Sequence, residues 1–432
     1  MKRFEEMYVA LWCVVMPITG TVILPGVQGT IPAYVLALAS VILVYQKIQA
    51  GAVPQDVLHY AKTLSYVFLL WLFLLVTSQL GLIVSDRHDF GDVNMMDADD
   101  TRILFRTTLF TQSLYLLACV LIALYFRYFF QERWTRYVDW GGYLLAGYGI
   151  YEWLYFLIFH QSGDFLVNRS FGDHTASWSQ TITFGGVELL RIKSTLGEPT
   201  FFAAVVIPYF FWAMDRGKTA LSAMLLFAAL FSTSTACLLV LPTVLFIKSF
   251  WTGKVRWDYL SVLFVVGLFL AGIALLYPDT FRDLFTDKFT GENDSGATRL
   301  WSAMGVRDLY GTFTIPNWLF GIGFGYTYLG VYDALLVNTG LVGLTVFLVV
   351  FIRPVLFLPT ITGYEGIKAG LLGLLLLCYL SLSELYLPPT WMFLGLAYFK
   401  LAGYNKPRLG TPFQPAGSRL RFNPSSHPPA QV

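Results

Sequence analysis

A chain of 432 residues that is 56% hydrophobic and 13% charged has too little polar surface to coat a soluble globule of its size. A formal net charge of +2 gives no reason to expect a nucleic-acid partner. Apolar stretches of about 20 residues, the length a bilayer requires of a spanning helix, recur from near the N-terminus to about Gly403.

The opening, MKRFEEMYVALWCVVMPITGTVILP, joins a basic start to an apolar run, as secretory signals do. No small-x-small cleavage site directly follows the run and further spans come after it, so a retained first helix is predicted. Spans are expected at roughly 8–25, 31–46, 63–84, 109–126, 139–160, 199–214, 219–232, 236–250, 258–277, 332–352, 367–384 and 389–403. The stretch 219–250 is almost continuously apolar and reads either as one long helix or as two short ones turning at Ser232-Thr233-Ser234-Thr235. Charge decides between them. With two helices and the N-terminus inside, Lys47, Lys62, Arg127, Arg133, Arg136, Arg216, Lys218, Lys248, Lys254, Arg256, Arg353 and Lys368 all fall on the cytoplasmic side. Merging the pair would place Arg353, Lys368, Lys406 and Arg408 outside. The expected architecture is therefore an all-α, polytopic integral membrane protein of about twelve transmembrane helices over residues 1–403, with both termini cytoplasmic. Residues 404–432, rich in Pro, Ser and Arg, read as a disordered basic tail able to touch anionic lipid.

Three outer segments are long: about 85–108, 161–198 and 278–331. Long loops in a compact protein are usually functional. The two halves show no convincing repeat of the kind many transporters carry. No run of intramembrane charge marks an ion path either; Glu152, in the outer half of its helix, is the main candidate. Cys13, Cys119, Cys237 and Cys378 all lie in apolar runs, so neither a disulfide framework nor a zinc site is visible, and no metal or cofactor is expected.

The segment RIKSTLGEPTFFAA, from Arg191 to Ala204, leads out of the second long segment into the sixth span. Arg191 and Lys193 sit outside, where positive charge is scarce, and need an anionic partner. Loop acids or lipid phosphates would serve; so would a diphosphate, which suits the planar guanidinium better than it suits an ammonium. Gly197 and Pro199 mark a turn before a helix, with Glu198 near its cap. In the third segment Arg299 and Arg307 are eight residues apart, roughly two turns if helical. Gly321, Gly323 and Gly325 alternate in a short turn that bends sharply or approaches a ligand. Asp333 opens the tenth span, either as an ordinary helix-start acid or as a general base for a sugar hydroxyl. Glu384 and Tyr386, before Pro388-Pro389, lie on the same membrane side, where tyrosine is also a common interface anchor.

RIKSTLGEPTFFA resembles the first signature of the O-antigen polymerase and O-antigen ligase superfamily: an arginine, then a glycine, a proline and an alanine where a helix begins. ATRLWSAM, NWLFGIGFG and YDALLVNTGLVGL are similar to its second signature, and ELYLPPTWMFLGL to its closing segment. The resemblance covers about residues 190–400. It implies a helical glycosyltransferase acting at the periplasmic face of a bacterial inner membrane on glycans carried by undecaprenyl diphosphate. Arg191 and Arg299 would hold the diphosphate and stabilise its departing charge, without a metal. Asp333 stands where ligases commonly carry a histidine, with Ala334 in place of the asparagine usually paired with it. Lys193, Glu198, Arg307, Glu384 and Tyr386 would contact substrate. The favoured expectation is a polymerase of lipid-linked repeat units for O-antigen, capsule or exopolysaccharide, inverting the anomeric centre. Its donor and its acceptor would both be undecaprenyl-diphosphate-linked oligosaccharides, and a chain-length regulator and a flippase would be its protein partners. The alternatives are a ligase transferring glycan to lipid A-core and, in another class, a lipid-linked oligosaccharide flippase or transporter.

Overall fold

Backbone removed from water must pair its own N–H and C=O groups, and an apolar chain does this most locally as α-helix. The computed structural model describes residues 2–49, 55–169, 180–253 and 256–405, which are mostly helical; the expected tail beyond Asn405 lies outside the described residues. In order they form α1 (Lys2–Val15), α2 (Pro32–Gln49), α3 (Gln55–Val84), α4 (Thr107–Phe129) and α5 (Thr135–Phe159). A hairpin follows, β1 (Thr181–Phe184) with β2 (Val187–Leu190). Then come α6 (Pro199–Asp215), α7 (Thr219–Phe231), α8 (Thr235–Thr252), α9 (Trp257–Leu276), α10 (Pro278–Arg282), α11 (Lys288–Thr290), α12 (Asp294–Gly311) and α13 (Ile315–Phe320). The chain closes with α14 (Val331–Phe357), α15 (Glu365–Leu380) and α16 (Pro388–Asn405).

A helix lies over each of the twelve apolar segments, and five of them, α2, α3, α4, α9 and α14, are long and apolar enough to cross a membrane. Their outward faces are apolar too: Phe264 and Leu275 of α9 are 70% and 81% exposed, a pattern that only lipid covers without penalty. The chain is membrane-embedded.

Ion pairs and hydrogen bonds tie alternate helix ends together. At one end Lys47 meets Glu5 at 2.8 Å, Arg136 meets Glu6 at 3.1 Å, Arg216 meets Asp139 at 3.4 Å and Lys400 meets Glu132 at 2.6 Å. At the other, Arg87 donates to the Thr312 carbonyl, Met95 bridges Thr327, Thr280 donates to the Thr183 carbonyl and the Val331 amide donates to the Leu382 carbonyl. Successive long helices therefore run antiparallel between a basic end and an opposite end, called outer because the sequence reading expects it to face outward. Inside the bundle Gly370 and Gly373 let α15 settle against α6, since a Cβ would fall 2.9 Å from Pro208 Cα and 2.6 Å from Ile207 Cγ2. Gly395 does the same for α16 against the Ala123 carbonyl of α4.

The structure departs from the sequence reading in three places. The first helix stops at Val15 rather than continuing to 25. Pro17 lies just past its end, and the Thr19 and Gly20 amides donate to the Thr195 carbonyl at 3.2 and 2.7 Å, while the Thr195 hydroxyl returns a bond to the Pro17 carbonyl. Residues 278–331, expected as a loop, are largely helical, because Val306 and Leu309 find apolar partners and Leu284 is buried. The second outer segment carries the β1–β2 hairpin, turned by Gly185 and Gly186, both at positive φ, as a two-residue primed turn requires.

One helix is broken. Within α14 Gly340 adopts φ 64°, ψ −169°, which frees the Val337 and Asn338 carbonyls; the amides of Ile322 and Gly323 donate to them at 2.9 and 3.1 Å. A side chain at Gly340 would fall on the Leu319 carbonyl. Gly340→Ala is therefore expected to lower stability by about 1–3 kcal/mol for the backbone conformation, with a comparable overpacking contribution. A drop in the melting temperature of the detergent-solubilised protein checks this, against Gly147→Ala as a control, since nothing lies within 4 Å of a Cβ there.

Candidate functional site

Cations at the outer end divide sharply by partner. Arg102 pairs with Asp100 at 2.6 Å, Arg169 with Glu384 at 3.1 Å, and Arg282 with Asp287 and Glu292 at 3.0 and 3.2 Å. Lys193, fully buried, pairs with Glu152 at 3.0 Å and with Asp164. Among the described residues Arg87, Arg106, Arg191, Lys288, Arg299 and Arg307 have no carboxylate at ion-pair distance, and Arg191, Lys288 and Arg299 act on one another or on the same Glu198 carboxylate.

Arg191 follows β2, and its guanidinium is fixed by the turn between α7 and α8. Its Nε donates to the Thr233 hydroxyl at 2.9 Å and its Nη1 to Gln180 Oε1 at 2.7 Å, while its Nη2 reaches the Thr233 carbonyl at 3.3 Å. A guanidinium has five donors, so one hydrogen on each terminal nitrogen remains. Burial pushes its pKa down to about 10, against the opposing pull of Glu198 and Asp283, which leaves the group charged at neutral pH. Lys288, on α11, reaches the Thr235 hydroxyl at 3.4 Å. Its ammonium is pushed down to about 8, first by burial, then by the Arg299 and Arg191 charges, with Asp283 and Glu198 opposing.

Glu198 precedes α6 and makes no capping hydrogen bond to the helix. Burial raises its pKa; a hydrogen bond with Thr200 lowers it, Glu384 raises it, and Arg191 and Arg299 lower it. The cluster is thus three cations around one carboxylate, drawn from the β2–α6 connection, α11 and α12. Such an excess of positive charge at partly desolvated sites favours an anion with several acceptor oxygens.

Beside it lies the Arg169–Glu384 pair within an aromatic wall. Tyr34 stacks on Tyr115 with ring centroids 5.8 Å apart, and Tyr386 sets its ring edge-on to Tyr115 and Phe324 at 6.1 and 6.2 Å. Tyr328, at the rim, accepts a hydrogen bond from Ser383 at 3.0 Å; burial raises its hydroxyl pKa, and the Glu198 and Glu384 charges add to that.

Of the residues singled out from sequence, Arg191, Glu198 and Arg299 come together, with Glu384 and Tyr386 adjoining. Lys193 does not face the cluster: it neutralises two buried carboxylates and anchors the chain between β2 and α6 to α5. Arg307 projects from α12 without a described partner. Asp333 is exposed on the first turn of α14, and its charge registers at Tyr310 rather than at any cation of the cluster. Lys288 and Arg169 were not foreseen, although the scarcity of outer positive charge that marked Arg191 marks them equally. A separate groove of about 650 Å³ between α3 and α4 is lined mainly by apolar residues, Phe68, Trp71, Phe110 and Leu117 among them, with Ser65 and Ser113. No group of three or more metal-ligating side chains occurs among the described residues.

Comparisons with protein-family models, curated proteins and solved structures found no match for this chain.

Removing the Lys193 ammonium leaves two buried carboxylates without their counter-ion. Lys193→Met is expected to destabilise the fold by about 3–5 kcal/mol, read as a loss of melting temperature. Adding Glu152→Gln should recover part of that loss.

Proposed function

We propose that this chain is an inner-membrane glycosyltransferase that polymerises undecaprenyl-diphosphate-linked oligosaccharide repeat units at the periplasmic face. In this reading the seven other apolar helices cross the membrane together with the five long ones, the basic end is cytoplasmic and the outer end carries the site. The observation that supports it most is the convergence of Arg191, Lys288 and Arg299, three cations without an ion-pair partner among the described residues, at the end where positive charge is scarce.

A glycosyl diphosphate breaks its anomeric C–O bond readily once the charge left on the diphosphate is matched. Fixed donors aimed at that charge lower the barrier without reorganising. Arg191 supplies two free N–H groups on a guanidinium already held by the Thr233 turn, Arg299 approaches from α12, and Lys288 adds a point charge between them. The neighbouring Arg169–Glu384 pair and Tyr328 offer hydrogen-bonding groups and a ring face, the combination that suits a sugar. A ligase would use the same cations and differ in its acceptor.

The deciding experiment supplies the purified protein with repeat units from its host and resolves the products on a gel. Wild type is expected to give a ladder. Arg191→Ala and Arg299→Ala should each reduce the rate by about 10²–10³-fold, and Arg191→Lys should not restore it, because an ammonium lacks the fork. Transfer to lipid A-core without a ladder would identify a ligase; movement of lipid-linked sugar across the bilayer without a new bond would identify a transporter.

Lys288 gives this reading a pH signature. Its charged form favours the diphosphate, so donor affinity should be full well below the group's pKa of about 8 and fall as pH rises through it. Lys288→Arg, charged throughout that range, should flatten the profile in a titration of donor binding.

A further inference from the structure

We propose that Glu198 is the general base that takes the proton from the acceptor hydroxyl, an assignment that rests on the glycosyltransferase reading above. Several carboxylates surround the cation cluster or stand at this end near it, and their partners separate them; Asp287 and Glu292 are held by Arg282. Glu384 is held by Arg169 at 3.1 Å. Asp283 accepts from the Asn293 amide at 3.1 Å, within the turn that leads to α12. Asp333 is exposed on the first turn of α14, and its charge acts on Tyr310.

Glu198 differs from all of these. It stands at the position where an acid ordinarily caps a helix, yet its side chain donates nothing to and accepts nothing from the first turn's amides. The β-region backbone of Glu198, φ −141° and ψ 138°, follows Gly197 at φ 84°, and this kink directs the residue out of the helix line. No cation lies within ion-pair distance of it among the described residues, and its hydrogen bond with Thr200 leaves further acceptor capacity. The charges of Arg191, Arg299 and Glu384 all act on its carboxylate. It therefore lies within electrostatic reach both of cations that would hold the leaving diphosphate and of the Arg169–Glu384 pair that would face the incoming sugar.

The step balances as follows. The acceptor hydroxyl oxygen forms a bond to the donor's anomeric carbon while its proton passes to a Glu198 carboxylate oxygen. The bond between the anomeric carbon and the diphosphate oxygen breaks with its electron pair on the diphosphate, where Arg191, Lys288 and Arg299 meet the charge. Glu198 then releases the proton to solvent.

The test uses the full chain with its lipid-linked donor and compares two nucleophiles, the natural repeat unit, which must lose a proton, and azide, which need not. Glu198→Gln is expected to slow repeat-unit transfer by about 10²–10⁴-fold. Its affinity for undecaprenyl diphosphate should be at least that of wild type, since a negative charge beside the cations is removed, and its formation of glycosyl azide, followed by mass spectrometry, should stay close to that of wild type. Asp333→Asn should transfer repeat units at near the wild-type rate. The proposal is overturned if Glu198→Gln transfers repeat units normally, or if its donor affinity falls together with transfer, which would make Glu198 structural. A dead Asp333→Asn beside an active Glu198→Gln would assign the base to Asp333 instead. If wild type forms no glycosidic bond with its own repeat units, the glycosyltransferase reading fails and this assignment fails with it.

Discussion

Every backbone N–H and C=O inside hydrocarbon needs a partner, and this constraint shapes the molecule well beyond its choice of helices. Where α14 breaks at Gly340, the carbonyls it frees are taken by the Ile322 and Gly323 amides, and the Asn338 side chain accepts from the Thr327 amide and hydroxyl at 3.2 and 3.0 Å. The same bonds that satisfy the broken helix fix the Gly321–Gly325 turn. They also hold the segment behind it, so that Tyr326, Leu329 and Ile322 pack with Val93, Leu109, Val306 and Leu309 in a second apolar cluster at the outer end. Through Val306 and Leu309 that cluster seats α12, the helix that carries Arg299. A local problem of backbone pairing thus propagates into the placement of a charge.

Charge at this end is handled in two opposite ways. Lys193 is withdrawn from solvent and compensated by two carboxylates, an arrangement whose desolvation penalty is offset only because both partners are in place. Arg191, Lys288 and Arg299 are partly desolvated and not compensated at ion-pair distance; each raises the energy of the others. That repulsion favours a polyanionic ligand, since binding relieves it while adding new charge-assisted hydrogen bonds. Arg191 and Lys193 are two residues apart in sequence, and their side chains serve these opposite purposes because the intervening Ile192 amide is pinned to the Phe231 carbonyl at 3.0 Å.

Much of this was legible in the sequence, and the gaps have physical causes. Apolar runs located the long helices, because burial in lipid leaves a signal that needs no tertiary information. Their ends were less well marked: α1 stops early through bonds to Thr195, some 180 residues away, which no local pattern records. The alternation in TITFGGVELL around two glycines is a hairpin signal in its own right, masked by the expectation of an all-helical chain. Arg191 could be singled out because the expected topology leaves fewer cations outside than inside, Glu198 because it stands at a helix start, and Arg299 by its spacing to Arg307 and by the family resemblance. That rule cannot say which of them are already neutralised, so Lys193 looked equivalent to Arg191, and Lys288 went unnoticed among the acids of its own segment.

The turn between α7 and α8 joins these threads. Counting charges required two short helices over 219–250 rather than one, and the structure has them, with the chain turning at Ser232–Ser234. That turn is what builds the cluster. Thr233 holds the Arg191 guanidinium, the Thr235 hydroxyl donates to the Leu284 carbonyl at 2.8 Å, and the Lys288 ammonium reaches the same hydroxyl. The β2–α6 connection and the α10–α11 segment are thereby fastened to one point buried at the outer end of the bundle. A single long helix across 219–250 would pair its own backbone fully and leave neither the Thr233 carbonyl nor a second chain direction to organise around. The break that reverses the chain is thus also what places two of the three cations, so topology and candidate chemistry depend on the same four residues.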